Sequence, residues 1–264
     1  MACPKSPRTK TLLSVAGYDP SSGAGVALDM AVFRKLGFVG MGILTAATAQ
    51  NTKRFIAYDA PPSQFLFLQY EALRREVSFS GIKTGMVGHR KNIPVISRIL
   101  DEHRGIPVVV DPVFRASSGA WLLEKAVIPY YVSHLKERIS VITPNLEEAG
   151  LISGHRVGNL KEMKEAASTI AGLVAAPCLV KGGHLSRRAV DVLFDGRHYT
   201  VFEKGKINRD VHGTGCFLSS SLLCFLVKGY PLWKACELAS AFTHAAIKKA
   251  VSIGRGKPIF SPLL

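Results

Sequence analysis

The sequence predicts an α/β domain whose mainly parallel sheet is covered by helices. Three observations carry that expectation. Strand-length apolar runs alternate with longer helix-patterned segments along the chain, the order that produces parallel, helix-covered sheets. Polar or glycine-rich segments recur where strands end, at 17–25, 50–52, 85–88, 111–119, 143–148 and 181–184. There is no internal repeat, low-complexity segment or linker, so residues 11–264 read as one domain behind a loose tail at 1–10.

In chain order, residues 11–16 form a short buried strand, followed by a loop at 17–25 and a helix over 26–36 that Gly37 stops. A strand over 39–48 ends in Ala49-Gln50-Asn51-Thr52, and a second at 54–58 pairs with it. Ser63 caps a helix reaching Val77, and a strand at 81–84 ends in Gly85-Met86-Val87-Gly88. A helix near 93–103 precedes a strand at 107–110, which ends in Asp111-Pro112 and a Ser/Gly loop through Gly119. Residues 121–136 read as mostly helical, with Pro129 interrupting. A strand at 139–142 ends in Thr143-Pro144-Asn145, and a short helix carries Glu147 and Glu148. A helix over 160–174 and a strand at 178–181 follow. Residues 189–194 and 198–202 pair as a hairpin turning at Asp195-Gly196. Two helices, 214–228 and 232–251, complete the pattern.

Composition narrows the class. The chain has 264 residues, 47% hydrophobic and 20% charged, ample for a packed core. Five cysteines without a CxxC pair fit free thiols in a reducing compartment. No apolar run reaches the ~18 residues of a membrane span, and the run at 12–16 is too short for a signal peptide. The expectation is a cytoplasmic protein with no membrane partner. The net charge of +15 sits in scattered pairs such as Arg34-Lys35 and Arg187-Arg188. It lacks the basic runs and aromatic interleaving of a nucleic-acid surface, so nucleic acid is not expected as a partner.

Two nucleotide fingerprints are absent. Gly23-x-Gly25 lacks its third glycine, Leu28 standing there, and the loop is too long for a dinucleotide turn. No GxxxxGK[ST] occurs. Instead, Gly213-Thr214-Gly215-Cys216 opens a long apolar helix, leaving backbone N–H groups unpaired at the positive end of the helix dipole. That is an anion site, and the same field would lower the Cys216 thiol pKa. Strand ends share one edge of an open sheet. That edge gathers Asp111 and Glu148, suited to Mg²⁺ directly or through water, and Lys181, suited to a phosphate. Each group also has a plainer reading. Asp111-Pro112 ends a strand, Asn145 or Thr143 caps the short helix, Met86 is core, and Thr214 caps a turn in which Cys216 packs. His89, His184 and His212 lack metal-ligand spacing and read as loop or hydrogen-bonding residues.

The order of segments decides between these readings. AGYDPSSGAG at 16–25 with Asp29 behind it, AQNT at 49–52, KTGM at 83–86, DPV at 111–113, TPNLEEA at 143–149, KGGH at 181–184 and HGTGC at 212–216 together resemble the hydroxymethylpyrimidine/phosphomethylpyrimidine kinases of thiamine biosynthesis, in the ribokinase-like superfamily. The resemblance implies a three-layer α/β/α fold, ATP and Mg²⁺, a homodimer, and phosphorylation of a pyrimidine alcohol and then of its monophosphate. It implies that Gln50 reads the aminopyrimidine edge while Gly17, Ala24, Asp29, Met86 and Val113 line the pyrimidine pocket. By the same resemblance Asp111 and Glu148 serve the metal, Lys181 and Asn145 the ATP phosphates, and Gly213, Thr214 and Gly215 the anion hole. Cys216 stands where most of the superfamily carries an aspartate base.

The chain departs from the family pattern in three places. Thr48 replaces an aliphatic residue, Phe217 replaces a Thr, and 114–119 reads Phe-Arg-Ala-Ser-Ser-Gly where Met-Val-Ala-Lys-Ser-Gly is usual. The rival readings are a pyridoxal kinase, a non-catalytic vitamin-precursor binder, and a basic nucleic-acid-binding protein.

Overall fold

The computed structural model describes residues 10–116, 118–183 and 188–261. Nine strands form one sheet: β1 (Thr11–Tyr18), β2 (Val39–Gln50), β3 (Phe55–Asp59), β4 (Phe79–Thr84), β5 (Val108–Val110), β6 (Val141–Ile142), β7 (Cys178–Gly182), β8 (Arg188–Phe194) and β9 (Tyr199–Gly205). Their order across the sheet is β3-β2-β1-β4-β5-β6-β7-β8-β9. Pairing is parallel from β2 through β7 and antiparallel at β2–β3, β7–β8 and β8–β9. The chain leaves β1 for β2 on one side and later places β4 on the other. That reversal puts the switch point, where open α/β sheets bind ligands, at the ends of β1 and β4.

Among the described residues, eight α-helices cover the sheet: α1 (Gly25–Lys35), α2 (Ser63–Arg74), α3 (Asn92–Glu102), α4 (Ile128–Leu135), α5 (Leu146–Ser153), α6 (Leu160–Val174), α7 (Thr214–Val227) and α8 (Leu232–Lys248). The pleat of β5 shows how both faces are filled. Val108 and Val110 pack with Tyr70, Ile96, Tyr131 and Ile170 on one side, and Val109 with Phe33, Leu222 and Ala239 on the other. Alternate side chains of a strand point to opposite faces, so an unbroken apolar run is what burial on both sides requires. The result is three layers, with α1, α7 and α8 on one face.

The structure moves several boundaries. Residues 121–136 hold only a 3-10 turn, Lys125–Val127, before α4. Pro129 lies in the first turn of α4 and does not interrupt it, since a first-turn residue needs no N–H donor. Ser63 does not cap α2; Pro62 holds the cap position and no side chain bonds there. The hairpin turns at Asp195-Gly196 as expected, Asp195 Oδ1 accepting from the N–H groups of Arg197 and His198. Lys10, assigned to the tail, donates from Nζ to Val227 O at 2.9 Å. Residues 1–9, Ser117 and His184 lie outside the described residues.

Candidate active site

A cavity of about 890 Å³ runs along the carboxyl ends of the parallel strands. Its centre is the start of α7. Gly213 occupies the cap position at φ +81, and no side chain caps the helix, so the Thr214 capping reading does not hold. Phe217 N is the first to reach an acceptor within the turn, bonding Gly213 O at 2.9 Å. The N–H groups of Thr214, Gly215 and Cys216 therefore have no acceptor within the helix and open toward the cleft. Glycine is required at 213 twice over, because a Cβ there would overlap Gly23 O as well as meet a left-handed backbone. Gly213→Ala is expected to cost about 1–3 kcal/mol, read as a lower urea midpoint at unchanged slope. A midpoint equal to wild type would disprove the constraint. At Gly215 a Cβ would lie 3.0 Å from Lys181 Nζ and 3.5 Å from Asp111 Oδ2, so the bare backbone lets these groups close on the helix start.

Lys181, next to last in β7, bonds Asp111 Oδ1 from Nζ at 2.6 Å. Burial works against the Asp111 carboxylate, but Lys181 and Lys83 outweigh it and hold the pKa below the ordinary range. Glu148 behaves oppositely. Burial, opposed by Lys181 but reinforced by Asp111, pushes its carboxyl up to about 8. Glu148 also closes a capping box with Asn145: Asn145 N donates to Glu148 Oε2 at 2.7 Å and Glu148 N to Asn145 Oδ1 at 2.9 Å. The capping reading of Asn145 is thus correct, and the same box fixes Glu148 on the cavity wall.

Gln50, Gly17, Ala24, Met86 and Val113 line the other end of the cavity. The Gln50 amide makes no hydrogen bond to the described residues and stays available. Met86 packs against Gly17, where a Cβ would stand 2.7 Å from its Sδ. Thr48 spends its hydroxyl on Tyr18 O at 2.9 Å, tying β2 to the end of β1. Phe217 is fully buried against Phe260 and Phe242, with ring centroids 4.2 and 5.2 Å away, so it anchors α7 from behind and does not enter the cleft.

This arrangement is that of a known group of enzymes: residues 19–260 match the family model for phosphomethylpyrimidine kinase. The chain belongs to the phosphomethylpyrimidine kinase family. A hydroxymethylpyrimidine/phosphomethylpyrimidine kinase of Rhizobium meliloti (strain 1021) is 38% identical over 254 residues, covering 94% of this chain and 95% of that protein. Among solved structures, phosphomethylpyrimidine kinase from Clostridium difficile 630 is 32% identical with a TM-score of 0.77, over 90% of this chain and all of that one. The ADP complex of Bacillus subtilis pyridoxal kinase is 29% identical with a TM-score of 0.86, covering 96% and 97%. The fold is ribokinase-like.

Two expectations about family positions need correction. Asp29 does not line the cavity. It is fully buried beneath it, accepting from Lys83 Nζ at 3.0 and 2.9 Å, from Ser14 Oγ at 2.6 Å and from Ser220 Oγ at 2.7 Å. And the Cys216 thiol is not lowered. Burial, opposed by Lys83 and reinforced by Asp111, pushes it up to about 12, because loss of solvent outweighs the helix-terminal field.

Sequence reasoning also missed functional neighbours. Lys83 was legible as a charge inside an apolar strand. Asp19 was not: it bonds His212 Nε2 at 2.8 Å and Ser21 N at 2.9 Å, fastening the 17–25 loop to the segment that opens α7. His212 is therefore a hydrogen-bonding residue, as read. At the far end of the cavity, Asp191 accepts from Ser240 Oγ at 2.9 Å.

Proposed function

We propose that this chain transfers the γ-phosphoryl group of ATP to 4-amino-5-hydroxymethyl-2-methylpyrimidine, and then to the resulting monophosphate, in thiamine biosynthesis. The observation that carries this reading is the joining, in one cleft, of the uncapped α7 start and the Lys181–Asp111 pair with the free Gln50 amide. Phosphoryl transfer needs positioning and electrostatic stabilisation more than covalent chemistry. The N–H groups of Thr214, Gly215 and Cys216, with the Lys181 ammonium, supply donors for charge on the transferring phosphoryl. Gln50 offers both an acceptor and a donor to the aminopyrimidine edge, turning the hydroxymethyl group toward α7. The Cys216 thiol lies close enough to Asp111 for each to shift the other's ionisation, where the proton of the attacking hydroxyl would leave.

Asp111 and Glu148 suit Mg²⁺. They are buried carboxylates close enough for Asp111 to raise the Glu148 pKa, and this ion takes one or two carboxylates and keeps its waters. When bound, it neutralises charge on the donor phosphates. Asn145 lies beside them for a phosphate contact. The same reading includes one kinase domain over 11–264, a homodimer and a cytoplasmic setting. In the described residues no helix is long and apolar enough to cross a membrane.

Pyridoxal kinase is the second reading, favoured by the similarity to the Bacillus subtilis structure. The test is ADP release with the pyrimidine alcohol, its monophosphate, pyridoxal and pyridoxine. Turnover of pyridoxal with none on either pyrimidine would overturn the substrate assignment. Gln50→Leu is expected to raise the pyrimidine KM about tenfold or more by leaving ring polar groups unpaired; an unchanged KM would remove its recognition role.

A further inference from the structure

We infer that Arg115 holds the phosphate already carried by the monophosphate acceptor, and so sets how well that substrate competes with the alcohol. The inference rests on the proposed two-step reading.

The two acceptors differ in charge. The alcohol is neutral, whereas a phosphate monoester brings about −1.5 to −2 at neutral pH. The acceptor end of the cavity is apolar or amide-lined around Gly17, Gln50, Met86 and Leu122. Lys83 is present there but sealed, fully buried and bonded to Asp29. Lys181 is engaged with Asp111 and belongs with the transferring phosphoryl. Other cations of the wall come from β9 and the segment leading to α7 or from the C-terminal segment.

Sheet order gives Arg115 its place. Gln50 ends β2, Gly17 lies next to last in β1 and Met86 follows β4, while Asn145 follows β6 and Lys181 lies in β7. Arg115 follows β5, between the two groups. Its guanidinium lies 4.1 Å over the Trp121 ring, and the backbones of the same two residues form a bridge, so the position of the fork is set in advance. Nη1 donates to Glu147 Oε1 at 2.8 Å. Nε is buried with no hydrogen-bond partner among the described residues. A planar cation with donors unspent, stacked on an aromatic face, is suited to bind phosphate oxygens. Glu147 balances its charge while the neutral alcohol is the acceptor, and phosphate oxygens take over when the monophosphate binds.

A plain surface ion pair would contribute about 0–1 kcal/mol of stability and no selectivity. The experiment therefore reads a ratio: kcat/KM for the monophosphate over kcat/KM for the alcohol, in wild type, Arg115→Met and Arg115→Lys, with thermal melts of each. Met keeps the stem over Trp121 and removes the fork. The ratio is expected to fall about 10- to 100-fold in Arg115→Met, the range of a hydrogen bond to a charged group, with part restored in Arg115→Lys. A ratio within twofold of wild type, whether both rates hold or both fall together, overturns the role. Failure of wild type to phosphorylate either pyrimidine would instead sink the underlying substrate reading.

Discussion

Lys83→Met is expected to lower unfolding free energy by about 3–5 kcal/mol, the cost of leaving a buried charge without its partner. Lys83 and Asp29 are both fully excluded from solvent. Burial works against the Lys83 ammonium, yet Asp29 outweighs it and holds the pKa above its ordinary value. Asp29 is saturated in turn: Lys83 and Ser220 bond Oδ1, and Lys83 and Ser14 bond Oδ2. Those partners come from β1, β4 and α7 and Asp29 itself from α1, so the cluster ties both helices to the strands beneath them. Methionine fills the stem's space but leaves the carboxylate with two hydroxyls and no counter-charge. Asp29→Leu with Lys83→Met should lose less than Lys83→Met alone, because apolar pairs replace buried ion pairs at little cost. Urea midpoints at constant slope measure both. A single-variant loss under about 1 kcal/mol would show that the pair contributes no more than an exposed one.

That cluster also marks the limit of what one sequence reveals. Strand runs such as Val108-Val109-Val110 are legible because burial on both faces demands unbroken apolar character, and strand ends are legible because glycine and polar residues break it. The separate cleft segments could be placed on one sheet edge for the same reason. Partnerships across the fold leave no such periodic trace. Asp29 stands 54 residues from Lys83, and Asp19 stands 193 from His212. The helix expected over 121–136 failed for a local reason. Apolar residues there pack as Leu122 and Leu123 in a bridged loop beside Arg115 and Trp121, and only the stretch after Val127 takes the helical period. The thiol of Cys216 was misjudged because position in a first turn speaks to the field but not to burial.

Cys216→Ala is expected to lower kcat about 10²- to 10⁴-fold, the usual contribution of a positioned proton-transfer group, with the pyrimidine KM within about threefold of wild type. The structure makes the prediction specific. With its pKa pushed up to about 12, the thiol is neutral in the resting enzyme at pH 7 and stands beside Asp111. A raised thiol pKa means the thiolate fraction grows with pH across the whole neutral and mildly alkaline range. If thiolate is the base, the ratio of wild-type to Cys216→Ala kcat/KM rises about tenfold per pH unit there, since kcat/KM reports groups of the free enzyme. Cys216→Ser separates base from orienter. Serine keeps a donor toward Asp111 and an acceptor for the substrate hydroxyl, but its hydroxyl ionises far less readily than a thiol. Serine as slow as alanine, with the pH-dependent ratio, assigns proton removal to the thiolate. A Cys216→Ala rate near wild type would exclude both roles and leave the open amides of α7, with Lys181, as the source of the rate enhancement.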